Sequence, residues 1–316
     1  MKRRAAGCGS APLGLPVIAE KFVDLYSRSS GLRDKLVAER DVVLTYALHA
    51  LLESGAAAHL AFKGGTCLRK MVFGSSGRFS EDLDFTLHSA EPDDDVLVRV
   101  VEVFNREHHG IHFAFDEYYK TDGDTSFGGE VGYQHTWNKS GLFRFQVSLR
   151  ERPTLPVAPT AMQHQAYFPH LEFQPFEVPS LGTLEMVAEK IRAAYQRAKV
   201  RDLYDLHRFA AKPFDIELLR RLVVVKLWQS RDPFDPEALF TRLRGNNYDW
   251  DDLRRLIRAS EQVNAAEILA GVETRFADLR NLSALEREVI ADAKSGRNGP
   301  LADQLREEIG SRWRAG

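Results

Sequence analysis

Apolar residues at Leu36, Val43, Leu44, Ala47, Leu48, Leu51 and Leu52 recur at helical spacing. They predict a helix over residues 34–54 that stops at Gly55 and packs behind a sheet. A short apolar run, 59–62, leads into Gly64-Gly65-Thr66 and then a helical turn over 67–72. From Asp82 the pattern alternates, predicting a strand with Asp82 and Asp84 on one face and Leu83 and Phe85 on the other. Spacing over 96–105 predicts another helix, and 111–118 alternates as a strand. Residues 120–139, rich in Gly, Asp, Ser and Asn, predict a loop with a short strand near 129–134. Alternation returns over 142–150. Phe143, Phe145, Val147 and Leu149 share the core face, while Arg144, Gln146, Ser148 and Arg150 share the other, beside the acidic strand.

Prolines at 153, 156, 159, 169, 175 and 179 predict an extended connection between two lobes. Beyond it the pattern is helical. Leu184, Val187, Ile191, Ala194, Tyr195 and Ala198 form one stripe, 203–211 continues it, and 216–228 is a further helix. Asp249 or Asp251 caps a helix through Ala259, and Ser283 with Glu286 reads as a capping box. The expected architecture is an α/β (α+β) N-terminal domain with a mixed sheet, residues 17–178, then a mostly α-helical C-terminal domain, 179–316, with residues 1–16 as a flexible leader. No internal repeat is visible.

At 316 residues and 44% apolar content the chain can bury two modest cores. A net charge of −2 excludes a globally basic nucleic-acid binder. A local patch remains: Lys190, Arg192, Arg197, Lys199 and Arg201 occur without an acidic residue among them, although such a run is usually a solvated helix face. Two cysteines, Cys8 and Cys67, make neither a disulfide framework nor a zinc site, and a reducing cytoplasm fits. The basic N-terminus lacks the apolar core of a signal peptide, and no run reaches the ~18 apolar residues of a membrane span.

The chemistry gathers around the alternating acids. Two carboxylates on one face repel and resist desolvation unless a cation neutralises them, so Asp82 and Asp84 are candidate Mg²⁺ ligands. Gly64, Gly65 and Thr66, at a helix start, are suited to holding a triphosphate, because glycine lets backbone N–H groups approach an anion closely. In a strand Ser80 would share the acidic face. Lys63 and Arg78 are weaker candidates for phosphate contacts, while Arg69 and Lys70 read as solvated helix residues. A D-x-D alone is weak evidence, and a surface acidic turn is its plainest reading.

The glycine pair, small hydroxyl residue and acidic pair resemble the nucleotidyltransferase superfamily built on the DNA polymerase β palm. More narrowly, FKGGTCLRK and RFSEDLDF, with LEMVAEKIRAAYQRAKVRDLYDL (184–206), resemble the AbiEii/AbiGii toxin family, which includes the MenT toxins. The resemblance implies a palm-like fold and a toxin-type enzyme that transfers NMP from an NTP, with Mg²⁺ (or Mn²⁺) as metal. It implies an RNA acceptor, by MenT kinship the tRNA 3′ end, and a cognate antitoxin partner. It assigns catalysis to Asp82, Asp84, Lys190 and Asp205. Nucleotide binding falls to Gly64, Gly65, Thr66, Ser80 and Lys190. Asp205 is expected to orient Lys190 or bind nucleotide, and Asp202 to pair with Arg201 or Arg208.

Palm-type transferases usually add a third carboxylate from a neighbouring strand, yet the site-facing positions there are Arg144, Gln146 and Ser148. Glu130 and Glu151 are the nearest substitutes, neither expected on the right face. An alternative reading is therefore a catalytically silent nucleotide-binding or regulatory protein on the same fold. A metal-dependent glycosyltransferase is a third reading, disfavoured by the upstream glycine pair.

Overall fold

The computed structural model describes residues 18–315 apart from 122, 124, 198, 246 and 297; the leader, Cys8 and Ala198 lie outside the described residues. The strands are β1 (Leu60–Lys63), β2 (Asp82–Leu87), β3 (Glu107–His108), β4 (Ile111–Ala114), β5 (Tyr118–Lys120), β6 (Ser126–Gln134), β7 (Gly141–Ser148), β8 (Ala158–Ala161) and β9 (Glu177–Ser180). They form one mixed sheet in the order β3-β4-β6-β7-β2-β1-β9-β8, with β5 pairing to β6. Around it lie α1 (Glu20–Ser29), α2 (Lys35–Glu53), α3 (Gly64–Cys67) and α4 (Asp93–Val103). Then follow α5 (Thr183–Gln196), α6 (Val200–Ala210), α7 (Ile216–Gln229), α8 (Pro236–Gly245), α9 (Trp250–Leu256), α10 (Ala265–Arg275), α11 (Ala284–Asp292) and α12 (Gly299–Ala315). An α/β domain followed by a helical region is what the hydrophobic pattern predicts.

Local sequence signals explain most boundaries. Asp34 caps α2 through the Leu36 N–H, and Gly55 ends it in the left-handed region at φ 79°. The helix is buried nearly all round, with Leu36, expected in the core, turned to solvent. Both hydrogen bonds of the Ser283–Glu286 capping box form. Asp249 is the cap of α9, and that helix stops at Leu256, three residues short of expectation.

Several expectations fail for tertiary reasons. Residues 111–118 are two strands, β4 and β5, both paired to β6. Within the glycine-rich span 120–139 the short strand expected near 129–134 forms, but as the nine-residue β6 it begins three residues earlier, at Ser126. Its glycines reflect crowding: a Cβ on Gly129 would come within 2.8 Å of the Phe115 ring and collide with the Glu117 carbonyl. The proline-rich span is not a bare connection, because β8 and β9 pair antiparallel and β9 joins β1, completing the sheet. Arg197 is extended (φ −148°, ψ 150°), so α6 is a separate helix and not a continuation of α5.

Arg69 and Lys70, expected in solvent, are 2% and 1% exposed. Asp41 on α2 explains them. It takes hydrogen bonds from Arg69 Nε at 3.1 Å and Lys70 Nζ at 3.0 Å, and also from the Tyr26 hydroxyl at 2.7 Å. Burial raises the Asp41 carboxyl, yet the two cations beside it hold it far below the usual range. The cluster anchors the π-helical turn Leu68–Phe73 that follows α3.

Candidate active site

β2 is central in the sheet, and its neighbours set the site. Leu83 and Phe85 are buried, at 0% and 1% exposure, leaving Asp82 and Asp84 on the opposite face. Parallel β7 places Arg144 beside Asp82 and Gln146 beside Asp84, and antiparallel β1 places Lys63 across from Asp84. Burial first, and then the Asp82 charge, push the Asp84 carboxyl up to about 6, against the pull of Lys63, Lys190 and Arg197.

The glycine pair is required by this packing. Gly64 has φ +77°, and a Cβ there would lie 2.9 Å from Asp84 Cβ and collide with its carboxylate. A Cβ on Gly65 would meet the Arg78 guanidinium and lie 3.0 Å from Ser80 Oγ. Thr66 donates its hydroxyl to the Asp82 carbonyl, tying α3 to the start of β2. β2 begins only at Asp82, so Ser80 precedes the strand and is buried against the glycine turn, off the alternation that would put it on the acidic face.

A cleft of about 330 Å³ opens beside Asp84, walled by Lys63, Gly64, Gln146, Glu189, Lys190, Arg192 and Arg197 among others. Gly64 and Asp84 reach this wall; Asp82, Gly65, Thr66 and Ser80 are not part of it. The cleft joins the sheet to α5, so Asp84 and Lys190, 106 positions apart in the chain, face one space. Lys190 Nζ lies 2.9 Å from Asp202 and 2.9 Å from Asp205. Burial lowers its proton affinity, but the two carboxylates outweigh that and raise it above the usual lysine value.

Asp202 and Asp205 are three apart on α6 and share a face. Asp202 pairs with Lys190 and Arg197, not with Arg201 or Arg208 as expected. Asp205 is gripped by Arg78, whose guanidinium is engaged in this buried internal pair. Lys63 is likewise engaged, with Glu189 at 3.0 Å. The basic run is mostly neutralised too: Arg192 pairs with Glu151, and Arg201 with Asp252 and Glu81.

Of the two substitute carboxylates, Glu151 is buried between Arg192 and Lys226, where it serves packing. Glu130 does fall on the acidic face, contrary to expectation, because it registers with Arg144, which registers with Asp82. It is exposed and one strand further out.

Two site residues escape the sequence pattern. Glu189 lines the cleft; burial raises its carboxyl, but Lys63, Lys226 and Arg192 drive it well below the normal range. Glu81, between Ser80 and Asp82, takes Arg40 at 2.5 Å and Arg255 at 2.7 Å, drawing α2 and α9 to the head of β2. Its only sequence signal is alternation, which turns it away from the acidic face.

A model of the nucleotidyl transferase AbiEii toxin family, of type IV toxin–antitoxin systems, matches residues 46–295. The solved structure of MenT4, a nucleotidyltransferase toxin of Mycobacterium tuberculosis, shares 27% identity and superposes with a TM-score of 0.78 over 92% of this chain and 99% of its own. JHP933 of Helicobacter pylori aligns at 19% identity and a TM-score of 0.39, covering 86% of this chain and 95% of its own. No curated protein matches by sequence. With the family model spanning most of its length, and the acidic strand, glycine turn and distant lysine meeting at one cleft, the chain belongs to the AbiEii nucleotidyltransferase toxin family of toxin–antitoxin systems.

Proposed function

We propose that the chain transfers a nucleoside monophosphate from an NTP to an RNA hydroxyl, the tRNA 3′ end, releasing pyrophosphate, and that a cognate antitoxin restrains it in the cytoplasm. The observation that carries this reading is the single cleft shared by Asp84 and a fully charged Lys190. Asp82 and Asp84 fit Mg²⁺, or Mn²⁺ in its place: two hard oxygen donors on one strand face, one of them held unfavourably charged until a cation neutralises it. Bound there, the metal would offset phosphate charge and align attacker and leaving group.

The remaining work falls to side chains. Lys190, oriented by Asp202 and Asp205, supplies a fixed point charge for the β- and γ-phosphates. Gly64 lets backbone approach the phosphates at the cleft wall, with Gly65, Thr66 and Ser80 shaping the turn behind it. Arg150 at the cleft and exposed Arg144 beside Asp82 offer the acceptor's backbone positive charge in place of the neutralised basic run. Residues 17–178 and 179–316 are taken as two domains, supported by two clusters of buried apolar residues that divide near this boundary, although Leu155 joins the second cluster and Leu181, Met186 and Leu256 the first.

Among the described residues, no helix is long and apolar enough to cross a membrane. A silent nucleotide-binding protein is the second reading, favoured by the lack of a carboxylate at Arg144, Gln146 and Ser148. Incubation of wild type, Asp82→Ala and Lys190→Ala with each labelled NTP, Mg²⁺ and total RNA separates the two. Label entering a discrete RNA band with wild type alone supports transfer. Nucleotide binding without label in any RNA supports the silent protein, and equal labelling by all three removes the site assignment.

A further inference from the structure

A second constellation lies at the other end of the sheet. His49, Glu53, His108 and His109 each place a donor atom within 4.8 Å of the others. β3, which carries His108, is four strand spacings from β2 in the order β3-β4-β6-β7-β2, about 19 Å at ~4.8 Å per strand. The cluster is thus separate from the nucleotide cleft.

Its parts are held in place. His49 and Glu53 are four apart on α2 and share a face. His109 and Gly110 both have positive φ, 49° and 72°, and form the two-residue turn between β3 and β4, with His108 opposite Ile111. That turn sets two consecutive imidazoles nearly perpendicular, centroids 4.5 Å apart. Phe173 stacks on His49 at 3.7 Å and 3°, fixing its ring. Glu172 accepts a hydrogen bond from His109 Nδ1 at 2.7 Å, which leaves Nε2 with a lone pair. A carboxylate behind a histidine is the usual orienting contact of a metal ligand.

We propose that His49, His108, His109 and Glu53 form a transition-metal site of the zinc class that pins the end of α2 to the β3–β4 hairpin. Three imidazole nitrogens and one carboxylate oxygen match tetrahedral Zn²⁺ and mismatch Mg²⁺, which demands oxygen ligands. A tetrahedral Zn²⁺ with ligands at ~2.1 Å has edges of about 3.4 Å. His49 Nδ1 and His108 Nε2 are 3.0 Å apart, whereas Glu53 approaches the other ring nitrogens, 3.8 Å from His49 Nε2 and 3.7 Å from His108 Nδ1; one donor atom from each of the four lies within 4.8 Å of the rest, so the set has to draw in on the ion. Glu53 is the exposed member, its side chain 57% accessible, and can swing inward as the metal's entry point. Four protein ligands make the site structural, not catalytic.

The test uses the full chain without a polyhistidine tag, stripped with EDTA, carrying Asp82→Asn and Asp84→Asn so that those acids do not contribute. Zn²⁺ is titrated calorimetrically, and Co²⁺ is followed by its visible ligand-field bands. The proposal expects one Zn²⁺ per chain, tetrahedral cobalt bands and a melting temperature raised by Zn²⁺. His108→Asn should remove the site, Glu53→Gln weaken it at least ~10-fold, and Glu172→Gln weaken it about 10–100-fold through orientation alone. Because Glu53 and Glu172 are exposed, those two variants keep the fold even if His108→Asn does not. Absence of Zn²⁺ binding by the folded protein overturns the proposal, as does unchanged affinity in Glu53→Gln and Glu172→Gln.

Discussion

Arg78 grips the Asp205 carboxylate through two parallel hydrogen bonds, 2.9 and 2.8 Å, joining residues 127 positions apart. Both side chains are nearly fully buried. The pair links the segment leading into β2 to α6, and Asp205 in turn holds Lys190. Truncating Arg78 removes two buried charge-assisted hydrogen bonds but still leaves Asp205 paired with Lys190, so the loss stays at or below the about 3–5 kcal/mol of a fully uncompensated buried charge. Arg78→Ala should lose up to that much in urea denaturation, and Arg78→Lys should recover only part, because an ammonium cannot reproduce the two-pronged contact.

Lys190→Met separates chemistry from stability. Asp202 keeps Arg197 and Asp205 keeps Arg78, so the carboxylates are not left unpaired. Losing a charge aimed at the phosphates should lower kcat by about 10²–10³-fold, with unfolding free energy changed much less than in Arg78→Ala. Single-turnover labelling and chemical denaturation on the same preparation check both halves.

Asp84 predicts an unusual pH dependence for the metal-free protein. Its folded-state pKa of about 6 lies above the ordinary 3.8, so between those values the native state holds a proton that the unfolded chain releases. Stability from this group therefore falls as pH rises through that window, by at most about 3 kcal/mol, and stays low above it. Asp84→Asn should melt higher than wild type above pH 6 in EDTA and lose that advantage below pH 4. Mg²⁺ should narrow the gap by stabilising wild type alone.

Gly64→Ala tests the close approach at the cleft. The left-handed backbone costs roughly 1–2 kcal/mol for any residue with a Cβ, and the added methyl displaces the Asp84 carboxylate. Transfer activity should drop by more than the stability loss explains, read as reduced kcat in protein that is still folded by circular dichroism.

The acidic alternation at 82–85, the glycine pair, the stop at Gly55, the capping box at Ser283 and the stripe of α5 were legible in the chain because each is a local rule: strand period, turn chemistry, helix capping, helical spacing. The alternation of β7 likewise announced which of its residues would flank the acids. The same rules failed wherever a residue's role depends on a partner remote in sequence. Arg69 and Lys70 look like solvated helix residues until Asp41 is packed beneath them. Gly128 looks like loop until the β7 backbone crowds it into β6. Lys190, Arg78, Lys63 and the basic run look free until Asp205, Asp202, Glu189 and Glu151 are brought against them. Periodicity decides which face of an element is apolar, but charge pairing across more than a hundred residues is set by how the elements dock. Only tertiary structure therefore decided which cations face the cleft and which neutralise its walls.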